Sequence, residues 1–281
     1  MEPEQLAERI WPGQHATIEP LGGGITNRNF KVQADGQEFV LRVGGKDTEL
    51  LGIDRAAEHA ASRVAAELGL GPEVVAFVEP EGYLVTRYVG GEVGKVDVGW
   101  VGEALRRLHD GPAVPGRFDS FRVVEAYRAT ADEHGVAVPP AYEWAKGVAA
   151  QIERRRSGAP IRPCHNDLLS ANFIGDGVRL WLVDWEYAGM GDPFFDLGNF
   201  AVNQELDEEG EKVLLAAYGS DDGQALVLMR FMSDFREAMW GVVQLAISEL
   251  DFDFAAYAGE HFERLARTAA EPRFLEALQV P

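Results

Sequence analysis

The sequence predicts an α+β protein of two lobes, a small antiparallel sheet with one helix over residues 1–90 and a larger, mainly helical lobe over 91–281. Three observations carry that expectation. Before residue 90, short β-branched and apolar runs are separated by turn residues, whereas beyond it apolar positions recur at helical spacing. The two patterns meet at Gly90-Gly91, a natural hinge. With 281 residues, the chain is also longer than one hydrophobic core usually serves, which suits two bodies with a cleft between them.

Taken in order, residues 3–10 read as a short amphipathic helix stopped by Trp11 and Pro12. A glycine run, Gly22-Gly23-Gly24, then feeds a strand that reaches Val32, and a second strand covers Glu38 to Val43. Glycines between two strands let backbone amides approach a phosphate closely. Ile53 to Leu68 is a strong helix with Gly69 and Pro72 as stop signals. Val74–Val78 and Tyr83–Val89, joined by Glu-Pro-Glu-Gly, complete the sheet.

Past the hinge, Val98 to His109 carries Trp100, Val101, Leu105 and Leu108 on one stripe, with His109 in the last turn facing helix carbonyls. Helices around 122–134 and 141–156 follow, the second ending in Arg154-Arg155-Arg156, a basic turn suited to the helix dipole. The acidic run Glu205 to Glu211 reads as a solvated helix start, and the last third, including Phe231 to Leu250, is helical.

Composition narrows the function. A net charge of −20 repels a nucleic-acid backbone and attracts cations. No apolar run is long enough for a membrane span, and Met1 to Gln5 lack the features of a signal peptide, so a cytoplasmic location is expected. The single cysteine, Cys164, excludes an internal disulfide and reads as a packing thiol.

The chemistry concentrates in Cys164 to Ile174, where His165-Asn166-Asp167 is followed by Asn172. Phosphoryl transfer uses H-R-D-x-x-x-x-N, in which the Asp accepts the proton of the attacking hydroxyl and the Asn holds magnesium. Twelve residues past Asn172, the apolar Leu182-Val183 ends on Asp184, with Glu186 two positions on. In an extended chain both carboxylates face one way and would converge on one hard cation.

The runs from Cys164 to Ile174 and from Val183 to Asn199 resemble the choline/ethanolamine kinase family, a branch of the aminoglycoside-phosphotransferase-like kinases. That resemblance implies a two-lobed protein-kinase-like fold and transfer of the ATP γ-phosphoryl group to a hydroxyl of choline, ethanolamine or a related amino alcohol. It assigns catalysis to Asp167, Asn172 and Asp184, and magnesium to Asn172, Asp184 and Glu186. Gly23, Gly24, Thr26 and Asn27 stand where these enzymes have a phosphate loop. Arg42, where protein kinases have lysine, is assigned to the nucleotide phosphates with Glu58 as its partner, and Lys46 competes for the role. Adenine is expected against the backbone of Arg87, Tyr88 and Val89, and Asp196 is expected to brace the catalytic loop.

Trp240, Gly241 and Gln244 resemble the acceptor helix of choline kinases with a shortened spacing. Aromatic faces hold ammonium groups by cation–π attraction. Tyr187, Trp240 and Tyr257 are therefore the candidate cage around a small cationic acceptor, with Asn203 beside it and Asp167 at the hydroxyl. Val243 and Asn203 depart from the family pattern, which has a second tryptophan and an acidic residue there. Thiamine, an aminoglycoside or a methylthio sugar is the alternative acceptor, and a nucleotide-binding pseudokinase the non-catalytic alternative. Monomer and homodimer both fit the sequence.

Overall fold

The computed structural model of the protein describes residues 3–22, 27–45, 48–248 and 250–279. Gly23, Gly24 and Thr26 of the expected phosphate loop, and Lys46, lie outside the described residues. The small lobe is a five-stranded antiparallel sheet in the order β1-β2-β3-β5-β4, built from Thr17–Leu21, Asn27–Ala34, Gln37–Gly44, Tyr83–Arg87 and Val74–Val78 respectively. Helix α1 (Pro3–Ile10) closes one face, so that Leu6, Ala7 and Trp11 share a core with Val32, Leu41 and Val85. Along β3 the side chains alternate: Phe39, Leu41 and Val43 are buried toward that core, while Arg42 points to the other face, over the cleft.

Helix α2 (Arg55–Glu67) covers that other face. Asp54 caps it, its side chain accepting the Ala56 and Ala57 amides. Ala61 and Ala65 of α2 belong to the large hydrophobic core, not to the small one. The sheet thus rests on the helical lobe through α2.

The chain leaves the sheet at Arg87, and β6 (Glu92–Val93) pairs with β8 (Phe173–Gly175), whose other neighbour is β9 (Leu180–Leu182). Gly91 is required at this crossing, with φ 157° and a notional Cβ 2.5 Å from the Gly175 carbonyl oxygen. Helices α3 (Val98–His109), α4 (Ser120–Glu133), α5 (Ala141–Arg155), α6 (Pro193–Asn203), α7 (Glu208–Tyr218), α8 (Gly223–Ile247), α9 (Phe254–Ala269) and α10 (Pro272–Gln279) make up the second lobe, with a small β7 (Arg162–Cys164) and β10 (Gly189–Gly191) pair beneath the catalytic loop. No described helix is long and apolar enough to cross a membrane.

Helix α8 is the axis of this lobe. From Ala225 to Gln244 every residue except Arg230 is buried, so its charged residues cannot reach solvent and must find partners inside. Gly198 of α6 sits against it, a notional Cβ lying 2.6 Å from the Met229 carbonyl carbon, which brings the two helix backbones together. The basic end of α5 does more than meet a dipole, since Arg156 forms a bidentate pair with Asp192, the N-cap of α6, at 2.7 and 2.8 Å.

Candidate active site

The catalytic loop runs from β7 through His165 to a short 3₁₀ turn, Ser170–Asn172, and into β8. Its backbone is held from α6. Asp196, fully buried, accepts the His165 amide on one carboxylate oxygen at 2.8 Å and the Asn166 amide on the other at 2.7 Å. His109 reaches the same carboxylate through Nε2 at 3.0 Å and meets the Tyr218 hydroxyl through Nδ1 at 2.9 Å. The expectation that His109 faces helix carbonyls is corrected, because the buried Asp196 carboxylate lies within reach of its ring. Asn199 accepts the Leu168 amide at 2.5 Å. Asn166 adopts φ 66°, turning the loop so that its side-chain Nδ2 donates to the Tyr187 carbonyl at 3.0 Å.

His165 is not a proton carrier in this arrangement. Its Nε2 lies 3.0 Å from the Val183 carbonyl and its Nδ1 accepts the Asp167 amide at 3.3 Å, so only the neutral Nε2–H tautomer satisfies both. Burial pushes its pKa down to about 4. Because the folded value lies below that of an unfolded histidine, its contribution to stability is complete above about pH 6.5 and is lost as pH falls toward 4. Urea unfolding of the wild type should lose about 2 kcal/mol more between pH 7 and pH 4.5 than that of His165→Asn. Equal losses would show that the imidazole is solvated.

Asp167 stands at the floor of the cleft. Arg236 of α8 donates to its Oδ1 at 2.9 Å and to the Asn166 carbonyl at 2.6 Å, and the Asn172 amide donates to its Oδ2 at 3.2 Å. Burial, opposed by Arg236 and assisted by Glu237 and Asp184, pushes the Asp167 carboxyl up to about 7. Arg236 also pairs with Glu237 at 3.0 Å, and its guanidinium lies 5.1 Å from the centre of the Tyr187 ring. Tyr257 donates its hydroxyl to Glu237 at 2.8 Å, and Trp240 donates its indole N–H to the Tyr187 hydroxyl at 3.1 Å.

A second polar cluster lies toward the sheet. Arg42 pairs with Glu58 of α2 at 2.9 Å, and its other terminal nitrogen touches both Asp184 and Glu186. Asp184 and Glu186 therefore meet on one cation, although not along an extended chain: Asp184 has φ 68°, and a turn brings them together. Arg55, the first residue of α2, ties the cluster to its surroundings by hydrogen bonds to Glu58 at 2.7 Å, Glu186 at 3.3 Å, Asn27 at 3.0 Å and Thr48 at 3.2 Å. The Asn27 amide donates to Glu186 at 2.9 Å.

This donor set fits a magnesium ion. Two carboxylates already converge on the Arg42 guanidinium, which stands in for a cation. The Asn172 Nδ2 is used by the Asp167 carbonyl at 2.8 Å, so the amide oxygen is the ligand atom Asn172 can offer.

Both clusters open into one cavity of about 440 Å³ between the lobes. It is lined by Arg87, Tyr88 and Val89 at the linker, by Arg42, Asn172, Asp184, Glu186 and Asp167 at the centre, and by Tyr187, Trp240 and Tyr257 at the far end. In the linker, the amides of Arg87 and Tyr88 are engaged by the Glu73 and Glu38 carbonyls. Glu58 and Asn27 are buried behind the cavity as partners of Arg42 and Glu186. Asn203 does not line it, and its amide donates instead to the Leu168 carbonyl at 3.4 Å, at the end of α6 that supports the loop.

Arg55, Arg236 and Glu237 are absent from the residues that the motifs single out. Each leaves a trace in the sequence. Arg55 opens a helix, where the dipole disfavours a cation. Arg236-Glu237 interrupts an otherwise apolar run from Phe231 to Val243 in which only Ser233 and Asp234 are also polar.

Comparison with known proteins matches residues 17–232 to the model of the phosphotransferase enzyme family. Protein LicA of Haemophilus influenzae is 29% identical over 219 residues, 73% of this chain and 63% of LicA, so the match spans a little under two thirds of that relative. Ethanolamine kinase 1 of Homo sapiens is 24% identical over 329 residues, 96% of this chain and 71% of the kinase. The crystal structure of a choline/ethanolamine kinase family protein from Mesorhizobium loti superposes with a TM-score of 0.83 at 32% identity, covering 98% of this chain and 96% of that one. Likeness on this scale takes in both lobes and the whole cleft, and this chain belongs to the phosphotransferase enzyme family and, within it, to the choline/ethanolamine kinase family.

Proposed function

We propose that the protein transfers the γ-phosphoryl group of ATP, with magnesium, to the primary hydroxyl of a small amino alcohol of the choline and ethanolamine type. The observation that carries this reading is the continuity of one cavity from the linker, past Asp167 and Asp184, to an aromatic and acidic end that suits a cation. Family membership agrees with it, as does the resemblance to ethanolamine kinase 1.

In this mechanism the acceptor oxygen forms a bond to the γ-phosphorus while the bond from phosphorus to the β,γ-bridging oxygen breaks, and ADP leaves. The hydroxyl proton passes to Asp167, whose carboxylate Arg236 and Asn172 hold in place. Asn172, Asp184 and Glu186 would hold magnesium, which when bound neutralises charge on the phosphate oxygens. Arg42, steadied by Glu58, faces the same space and would meet the phosphates. Catalysis here is mostly positioning and charge neutralisation.

A panel of ethanolamine, choline, thiamine and an aminoglycoside, followed by ADP release and by mass spectrometry of the acceptor, tests the reading. An amino-alcohol phosphate should form, and Asp184→Asn should lower its rate by about 100-fold or more while raising the magnesium concentration needed for half-maximal rate. Phosphorylation of thiamine or the aminoglycoside alone would replace the proposed acceptor class. ADP release that no acceptor accelerates would point to a nucleotide-binding protein without this transfer.

A further inference from the structure

Glu237 is the feature of the acceptor end that a purely aromatic cage does not explain. It is 2% exposed, on α8, and lines the cavity beside Trp240 and Tyr257. One carboxylate oxygen accepts the Tyr257 hydroxyl at 2.8 Å. The other, Oε1, is ion-paired with Arg236 but accepts no hydrogen bond from any described group. On a residue that lines the cavity, such an oxygen has a lone pair to offer a donor that enters it.

The aromatic walls are also partly committed. The ring of Tyr187 faces the Arg236 guanidinium, and Trp240 and Tyr257 meet edge to face, with centroids 5.7 Å apart and planes at 69°. A quaternary ammonium is recognised by open π faces and has no N–H to offer. Charge adds a constraint. The Arg236 guanidinium, which lines the cavity here, is paired with both Asp167 and Glu237, two carboxylates against one cation. One further positive charge balances them, whereas a polycation or a neutral alcohol does not.

We infer that the acceptor is a monocationic amino alcohol whose nitrogen keeps at least one N–H, and that Glu237 selects it by accepting that N–H. The inference rests on the amino-alcohol reading above and divides its members. A site built to hydrogen-bond a substrate N–H rejects the analogue lacking it far more strongly than size alone would, because the buried acceptor is then left without a partner.

The test is kcat/KM for ethanolamine, N-methylethanolamine, N,N-dimethylethanolamine and choline. The largest step should come with the third methyl, which removes the last N–H, and choline should fall at least about tenfold below ethanolamine. A smooth decline with size, or a rise toward choline, overturns the inference and leaves the amino-alcohol reading standing. If none of the four is phosphorylated, that reading falls and the inference with it. Glu237→Met, which is close in size and removes the acceptor, should shrink the ethanolamine-to-choline ratio at least about fivefold. A folded variant with an unchanged ratio shows that Glu237 does not select the acceptor, and if the variant does not fold, the wild-type series decides alone.

Discussion

Asp167→Asn should lower kcat by about 10³-fold with the preferred amino alcohol, the range general-base removal produces. Asparagine keeps an oxygen for Arg236 and occupies the same space; it gives up the contact of Oδ2 with the Asn172 amide, which keeps the Asp167 carbonyl, so the loop, the ion pair to Glu237 and the nucleotide end of the cavity are preserved. Nucleotide affinity should therefore stay within about threefold, since the change is felt only where the hydroxyl proton is accepted. Stability separates this outcome from collapse. The Asp167 carboxyl is pushed up to about 7 by burial, above its unfolded value, so ionising it weakens the fold as pH rises from about 4 through 7. At pH 8 the asparagine variant should melt no lower than the wild type. A variant with more than a tenth of wild-type kcat would remove Asp167 from the chemistry, and a lower melting temperature would assign its importance to structure.

Asp196→Ala should cost about 3 to 5 kcal/mol of stability, or about 5 to 8 °C in Tm for a chain of this size. The carboxylate is fully buried and takes two consecutive loop amides as well as the His109 ring. Its removal strands three donors, and stranded buried donors lose their hydration without compensation. Activity should fall with stability, because the amides of His165 and Asn166 fix the backbone from which Asp167 projects. Differential scanning calorimetry decides the case: a shift below about 2 °C would mean that water or another group replaces the carboxylate.

Much of the site is legible in the sequence because its residue types are dense and closely spaced. The Asp167-to-Asn172 interval and the pairing of Arg42 with Glu58 follow from the chemistry of phosphate transfer, and Arg42 and Glu58 are 2.9 Å apart. The meeting of Asp184 and Glu186 is also expected, but for another reason: strand alternation suggests it, while a left-handed backbone at Asp184 produces it. Periodicity does not report such a turn.

Other features leave weaker signals. Strands of two or three residues, such as Glu92–Val93 and Arg162–Cys164, are too short to carry an alternation. Arg236 and Glu237 are visible as charges in an apolar helix, yet a helix buried on all sides has no polar face to say where they point. Asn203 is read by likeness as an acceptor residue, whereas the direction of α6 carries it to the catalytic loop. The Cys164 thiol is buried, and burial raises its pKa well above the usual range, which agrees with packing and not with reactivity.

The near-contact of α6 with α8 at Gly198 has a consequence for how such an enzyme can change its taste in acceptors. Asp196 and Asn199 on one side of that seam hold the loop, while Arg236 and Glu237 on the other line the cavity, and Asn199 bonds to Ser233 across it at 2.9 Å. With no slack between the two rods, sliding one would disturb the reaction centre at once. New preferences are therefore reached by exchanging side chains on a stationary frame, and Arg236, which grips Asp167 and Glu237 together, makes any exchange at Glu237 register in turnover as well.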